Sequence, residues 1–287
     1  MSDVSARIKR NIDTLTESQR RLAEYVVSNR EMAAFLSTAE LGKATGTSQS
    51  TVVRFARNLG YAGYPEFQAS LQSDLRNQLT TVDRLMGSLR DNHGGEHLVD
   101  AVMGADIRSL QMTRRQLDRE TFQAVIDSLW SANRIHIIGA RGAFGLAHVL
   151  GFGLNWVLRN ASVPMVGPGE ALDNMMLVGP GDLVFALSFP RYTRSTVELL
   201  RLAKQRGTTT VALTDSVMSP LTPHADMLLT AQSQQVSYAD SLCAPLSVIN
   251  AILAAVGARD RELTASALEE MEDLWRSHGT YTGESRV

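Results

Sequence analysis

Two rhythms of apolar residues divide this chain. Up to about residue 130 they recur at helical spacing. Thr16-Glu-Ser-Gln19 predicts a capping box, with the Thr hydroxyl capping a helix and Gln19 reaching back. Behind it Leu22, Tyr25, Val26 and Val27 form an apolar stripe. A break falls near Ser28-Asn29, and a further helix carries Met32, Ala33 and Phe35. Ser37-Thr-Ala-Glu40 is a second capping box. Gly46 supplies the positive φ that a tight turn needs, and Thr47 or Ser48 caps the next helix. The apolar side of that helix is Val52, Val53, Phe55, Ala56 and Leu59, and Gly60 ends it. Residues 65–130 read as helices over about 66–90 and 97–130, joined by a polar hinge at Asp91-Asn-His-Gly-Gly95.

From Arg134 the rhythm changes to short, unbroken apolar runs between helices. Strands are predicted at Arg134–Ile138, Ser162–Val166, Asp182–Leu187, Thr208–Leu213 and Met227–Thr230. Helices follow through about Arg159, through Arg206 and at about 240–257. Alternating strands and helices with continuously apolar strands predict a parallel sheet covered on both faces. The expected division is a helical domain at 1–78, a helical linker at 79–123, an α/β domain at 124–263, and a C-terminal helix and tail at 264–287.

Composition narrows the class. At 44% hydrophobic and 20% charged, the chain has enough apolar surface for two cores. The single cysteine, Cys243, excludes an internal disulfide and a multi-cysteine metal site, and its setting in Leu-Cys-Ala-Pro-Leu predicts an inert buried thiol. The first 20 residues are polar and carry no secretion signal, and the uncharged stretch 241–258 is too polar for a membrane span, so a cytoplasmic protein is expected. The net charge of −2 is uneven. Residues 1–78 hold 10 Lys/Arg against 8 Asp/Glu, a net +2; the rest hold 18 against 22, a net −4. That sign suits an N-terminal contact with DNA, but affinity must come from local placement.

Residues 38–61 supply that placement. They predict two short helices joined by a turn, and in a helix-turn-helix the start of the second helix enters the major groove. Here that start is Ser48-Gln49-Ser50-Thr51. Gln49 suits an adenine edge, the hydroxyls suit bases or phosphates, and Arg54 and Arg57 suit phosphates or a guanine edge. Lys43 on the first helix and Tyr61 after the second are phosphate candidates. The plainer alternative is a solvated polar face on a small helical bundle.

The run from Ser48 to Phe67, S-Q-S-T-V-V-R-F-A-R-N-L-G-Y-A-G-Y-P-E-F, resembles the N-terminal domain of the RpiR/MurR family of bacterial transcriptional regulators. Residues from about Ser128 to Val256 resemble the sugar isomerase (SIS) domain that follows it in that family. The resemblance implies an all-α helix-turn-helix domain plus an α/β SIS domain with a flavodoxin-like parallel sheet. It implies a cytoplasmic regulator that binds double-stranded operator DNA as a homodimer or tetramer. It also implies a sensor of a phosphorylated sugar or related anionic metabolite, controlling carbohydrate-metabolism genes.

Open α/β sheets bind ligands beyond the carboxyl ends of their strands. The loops expected there are Gly139–Phe144, Ser188–Ser195 and Thr214–Ser219. Candidate ligand contacts are Gly139, Arg141, Gly142, Ser188, Arg191, Thr193, Ser195, Thr214, Ser216 and Gln234. SIS domains usually carry S-x-S-G-x-T after the middle strand; here Ser188 and Thr193 match, and Pro190-Arg191 replaces the Ser-Gly pair. Ala143 stands where the first loop often has a serine. Arg141 and Arg191 can instead clamp a phosphate or carboxylate. The alternative is that they are surface residues or ion-pair partners at a dimer interface.

A sugar-phosphate isomerase and a sensor of a non-sugar carboxylate are the competing functions. Isomerisation needs a base beside the substrate carbon. Gln234-Gln235 stands where related sequences often have Glu-Ser, and His136 and His148 read as core histidines. No catalytic residue, metal-ligand spacing or cofactor motif is expected.

Overall fold

The computed structural model describes residues 3–78, 80–91, 97–164, 170–234 and 237–282. The Gly94-Gly95 hinge, Gln235, the predicted strand end at 165–166 and the last residues of the tail lie outside them. Two compact units are present, Met1–Asp83 and Arg84–Val287.

The first unit is helical: α1 (Asp3–Asn11), α2 (Glu17–Ser28), α3 (Arg30–Ala33), α4 (Thr38–Thr45), α5 (Gln49–Asn58) and α6 (Tyr64–Gln78). Both capping boxes form, Thr16 with Gln19 and Ser37 with Glu40. Gly46 ends α4 in the left-handed region at φ 63°, and Ser48 caps α5. Leu22, Leu41, Val52, Phe55 and Phe67 are fully buried. Phe67 is the hub, with the rings of Phe55, Tyr61 and Tyr64 at 5.7, 5.6 and 5.9 Å. Met32, Phe35 and Val27 are exposed rather than packed. α3 is only one turn long, and the α2 stripe runs through Leu22 and Val26 at i and i+4, leaving Val27 off the covered face.

The predicted long helices are broken. α6 ends at Gln78, and α7 (Thr81–Asp91) starts afresh with Thr80 and Asp83 hydrogen-bonded to each other. α8 (Leu98–Gln116) stops at Leu117, whose ψ of 114° is extended. Asp118 then caps α9 (Arg119–Ser131), its carboxylate accepting from Thr121 N–H at 2.8 Å.

The second unit holds a five-stranded parallel sheet in the order β2-β1-β3-β4-β5. The strands are β1 (Ile135–Gly139), β2 (Ala161–Ser162), β3 (Leu183–Leu187), β4 (Thr209–Thr214) and β5 (Met227–Thr230). This is the flavodoxin-like order. Side chains alternate between two cores. Ile135, Ile137, Leu183, Phe185, Leu187, Val211 and Leu213 face α9, α10 (Gly142–Asn155) and α13 (Cys243–Arg259). Ile138, Val184, Ala186 and Ala212 face α11 (Glu170–Met176) and α12 (Arg194–Gln205). Both faces are covered by helices, which is why the strands read as unbroken apolar runs. Arg134 and Asp182 pair at 2.7 Å where β1 and β3 begin, and the guanidinium holds the Asp182 carboxyl below its ordinary range. α14 (Arg261–His278), capped by Asp260, closes the unit.

The turn of the first unit is set by a close approach. Gly42 is buried, and a Cβ there would meet the Thr47 carbonyl oxygen at 2.8 Å. Thr47 N–H donates to Gly42 O at 2.8 Å across the same gap. Gly42→Ala should therefore push α4 and α5 apart and destabilise this unit by about 1–3 kcal/mol. Urea unfolding followed by circular dichroism checks this; an unchanged midpoint would refute the close-approach reading.

Candidate functional site

The first candidate surface is the start and outer side of α5. Gln49, Ser50, Arg54 and Arg57 are exposed there, Thr51 is half-buried, and Lys43 is exposed on α4. α5 contains no acidic residue to compete for its arginines. The Arg54 Nε donates to Ser50 O at 3.3 Å, which lays its guanidinium along the helix. Ser48 serves the helix: its hydroxyl accepts from Thr51 N–H at 3.2 Å and lies 2.9 and 2.8 Å from the Ser50 and Thr51 hydroxyls. Ser48 therefore positions its neighbours.

Tyr61 does not face outward. It is 3% exposed, its hydroxyl meets Ser70 Oγ at 3.2 Å, and its ring packs on Phe67. The phosphate role expected of it is corrected to a core role, because the chain turns inward after Gly60 (φ 85°). Arg7, which the pattern did not single out, stacks over this ring at 4.5 Å. It also donates to the carbonyls of Leu59 and Gly60 at 3.4 and 3.2 Å, at the C-terminus of α5 where a cation is favourable. Nothing local in the sequence reports a contact more than 50 residues away. Asn58 likewise bonds back to Gln19 on α2. Glu40 is held below the ordinary carboxylate range by its bonds to Ser37, and burial with nearby Glu40 pushes the Tyr64 phenol up to about 12.

The second candidate site is the carboxyl edge of the sheet. β1 and β3 are neighbours paired through Gly139↔Leu187, so their chains leave the sheet side by side. One goes to α10 on one face and the other to α12 on the opposite face, which makes this the topological switch point. A Cβ on Gly139 would lie 2.6 Å from Ala143 O, so α10 begins directly on the strand end. α10 and α12 have neither a side-chain cap nor an acidic residue in the first turn, whereas α2, α4, α5, α9 and α14 are all capped by side chains. α13 runs parallel to α10: a Cβ on Gly142 would meet Leu242 and one on Gly153 would meet Leu253. Its own first turn therefore points the same way, with no cap from Leu242 but with Cys243 N–H donating to Ser241 Oγ at 3.2 Å.

Two arginines occupy this edge in strained backbone. Arg141 has φ 57° and ψ −126°, and Arg191 has φ 62°. Such conformations cost a non-glycine residue about 1–3 kcal/mol and gather at functional sites. Both side chains are exposed, as is Ser195, while Thr193 is half-buried. The loop is held from behind. The Ser188 hydroxyl, 3% exposed, accepts from Thr193 N–H at 3.3 Å. Tyr192 donates to Asp215 at 2.6 Å. Thr214 is fully buried and spends its hydroxyl on Asp215 and Ser219, so its expected ligand contact is corrected to a supporting role. The Ser216 hydroxyl accepts from Met218 N–H, and the Gln234 carbonyl accepts from Ser241 N–H.

Two other expectations change, for Cys243 and His148, while His136 keeps its reading as a partly buried structural histidine. Cys243 is half-buried at the first turn of α13, not buried. His148 is exposed, stacked between Phe144 and Phe152 at 6.4 and 6.1 Å. His136 lies near the start of β1, away from the carboxyl edge, with its ring 3.2 Å from Ser162 Oγ; burial lowers its pKa. Among the described residues no group of three or more His, Cys, Asp or Glu could hold a metal ion, and no single helix is long and apolar enough to cross a membrane.

Comparison with known proteins agrees with this division. Residues 2–78 match the helix-turn-helix domain of the rpiR family, and residues 128–258 match the SIS domain. The HexR transcriptional regulator of Pseudomonas aeruginosa is 26% identical over 77% of this chain and 76% of its own length. The sugar isomerase domain of an RpiR transcription factor from Sphaerobacter thermophilus is 30% identical, with a TM-score of 0.60 over 62% of this chain and 99% of that one. The NanR protein of Vibrio vulnificus, solved in complex with ManNAc-6P, shares the fold at 22% identity, with a TM-score of 0.61 over 98% of this chain and 100% of that one.

If the outer side of α5 reads DNA, Arg54→Ala and Arg57→Ala should each weaken binding. Where the lost contact is to a phosphate, the slope of log K against log salt should fall by about 1. Tyr61→Phe should leave affinity intact while costing about 1 kcal/mol of stability. Fluorescence anisotropy on a duplex selected from a random pool, with urea unfolding alongside, separates the two kinds of residue. Unchanged salt slopes in both arginine variants would exclude them as phosphate contacts.

Proposed function

Because the chain belongs to the RpiR family of helix-turn-helix transcriptional regulators with a SIS domain, we propose that it senses a phosphorylated sugar or related anionic metabolite and controls carbohydrate-metabolism genes. The observation that carries this reading is the pair of strained arginines, Arg141 and Arg191, beside the uncapped N-termini of α10 and α12. Helix N-termini offer unsatisfied amides and a positive dipole end, and guanidinium groups add a bidentate fork. All four elements follow directly on the carboxyl ends of β1 and β3. The nearest acid in these loops, Asp215, is buried and accepts from Tyr192 and Thr214.

Within this proposal each unit has its residues. Lys43, Gln49, Ser50, Thr51, Arg54 and Arg57 face double-stranded operator DNA, with Ser48 setting the helix start. Arg141, Gly142, Arg191, Thr193 and Ser195 face the ligand, with Gly139, Ser188, Thr214, Ser216 and Gln234 shaping the loops. The SIS domain supplies contacts for a homodimer or tetramer, and the protein works in the cytoplasm. The ligand of NanR, ManNAc-6P, is a phosphosugar and favours the same class here. An isomerase is the weaker reading, since the relatives are transcriptional regulators and Gln234 cannot take up a proton. To regulate, the metabolite must bind the DNA-competent and DNA-incompetent arrangements with different affinity.

Glycine separates the two demands on Arg191. Arg191→Gly removes the guanidinium and relieves the positive φ, so the apo protein should be equally stable or more stable by up to about 1 kcal/mol. The same variant should lose most of the thermal stabilisation that a phosphosugar gives the wild type. Thermal shift against glucose 6-phosphate, 6-phosphogluconate, N-acetylmannosamine 6-phosphate and inorganic phosphate tests both halves. No stabilisation of wild type by any of them, or an identical response from the variant, would count against the arginine clamp.

A further inference from the structure

The chain between β5 and α13 is tied at both ends to helices outside the sheet. At its near end Gln232 N–H donates to Thr113 Oγ1 at 2.9 Å, and Gln232 Nε2 donates to Gln116 Oε1 at 2.9 Å, both on α8. At its far end Ser241 Oγ donates to Asp106 Oδ1 at 2.5 Å, again on α8. Next to it, Asp240 receives Arg84 from α7, with Nη1 2.9 Å from both carboxylate oxygens. The Arg84 side chain is 2% exposed and that of Asp240 17%. Ser241 Oγ also accepts from Cys243 N–H, the first residue of α13, and Leu242 lies against Gly142, the first residue of α10. A continuous set of contacts thus runs from α7 through Asp240, Ser241 and Leu242 to the start of α10.

We infer that the Arg84–Asp240 pair is a coupling latch, through which the state of the sheet's carboxyl edge reaches the helix that follows the DNA-reading domain. The inference rests on the anion-site reading above only for what displaces the loop. Three physical points carry it. A buried guanidinium is a costly way to hold a helix, since an apolar side chain of similar volume holds it as well or better. What a buried ion pair adds is a fixed register: it fits in one arrangement and fails in others. And α7 begins at Thr81, directly after residues 2–78 that form the helix-turn-helix domain, so a register imposed at Arg84 acts at the exit of that domain. Asp240 and Ser241 are successive residues gripping α7 and α8 respectively, so a displacement of this corner changes both helices together.

Linkage is reciprocal, so DNA must act on the loop if the loop acts on DNA. The test uses the full chain and a duplex selected by wild type from a random pool, read by hydrogen–deuterium exchange. Wild type should show a several-fold change in exchange of the peptides covering Ser237–Cys243 when the duplex binds. Asp240→Asn should still bind the duplex but lose that change. Arg84→Lys, which keeps the charge on a shorter side chain with a compact ammonium head, should reduce it and serves if Asp240→Asn fails to fold. A wild-type protein without any change at the loop would overturn the latch, as would an undiminished change in the variants. A pool that enriches no duplex would also overturn it, by removing its output. The readout uses no metabolite, so failure of the anion screen with a positive exchange result sinks the ligand assignment and leaves the latch standing.

Discussion

The pairing of β1 with β3 is the constraint from which the second unit follows. Their register, Ile135↔Leu183 through Gly139↔Leu187, brings both strands to an end at one level. Right-handed crossovers then send α10 and α12 to opposite faces. That divergence makes the two exits the topological switch point of the sheet. Gly139 brings α10 directly onto the strand end, and the Ser188 hydroxyl fastens the start of α12 by taking the Thr193 amide. The site is therefore built by topology first and by side chains second.

That order explains the arginines. The loop after β3 turns in the left-handed region at Arg191, between ends that the Ser188 hydroxyl ties to the Thr193 amide. The SIS pattern has glycine at that position, and this chain keeps the glycine backbone with Arg191 in it. The substitution carries a local cost that a glycine would avoid. Strain retained where a cheaper residue is available is what a residue kept for its side chain looks like. The same reasoning applies to Arg141, where ψ of −126° is harder still for a side chain to accept.

Legibility in the sequence tracked distance along the chain. Caps at Thr16, Ser37 and Ser48, the turn at Gly46 and four of the strands are legible because each rests on neighbouring residues, whereas β2 covers Ala161–Ser162 where 162–166 is expected. The run from Ser48 to Phe67 is the clearest signal. Its apolar side, Val52, Phe55, Ala56 and Leu59, is buried as expected, and Tyr61, Tyr64 and Phe67 join the same core. Tyr61 reads as a phosphate candidate because an exposed and a buried tyrosine look alike at the end of a helix. Arg7 on Leu59 and Arg84 on Asp240 were illegible for the opposite reason: they join residues 52 and 156 positions apart, and no periodicity reports such a pair. At the sheet edge the loops were legible from strand ends, but which hydroxyls face out was not. Ser188 and Thr214 sit in ordinary loop sequence, and only packing turns them inward.

Magnitudes decide how a signal can cross this molecule. Allosteric coupling free energies are typically about 1–3 kcal/mol. Stripping one partner from a buried ion pair costs about 3–5 kcal/mol. A metabolite whose differential binding is of the first size does not cover the cost of leaving Arg84 buried without its partner, so in the latch proposed above Arg84 and Asp240 keep their register to each other while the corner moves. What moves is then the whole corner, Asp240 with Ser241, carrying Arg84 and Asp106 with it. The softer links, Gln232 to Thr113 and Gln116, are neutral hydrogen bonds worth about 0.5–1.5 kcal/mol each, and these are the ones an effector can exchange. The strong contact transmits because it does not yield, and the weak ones around it set how far it travels.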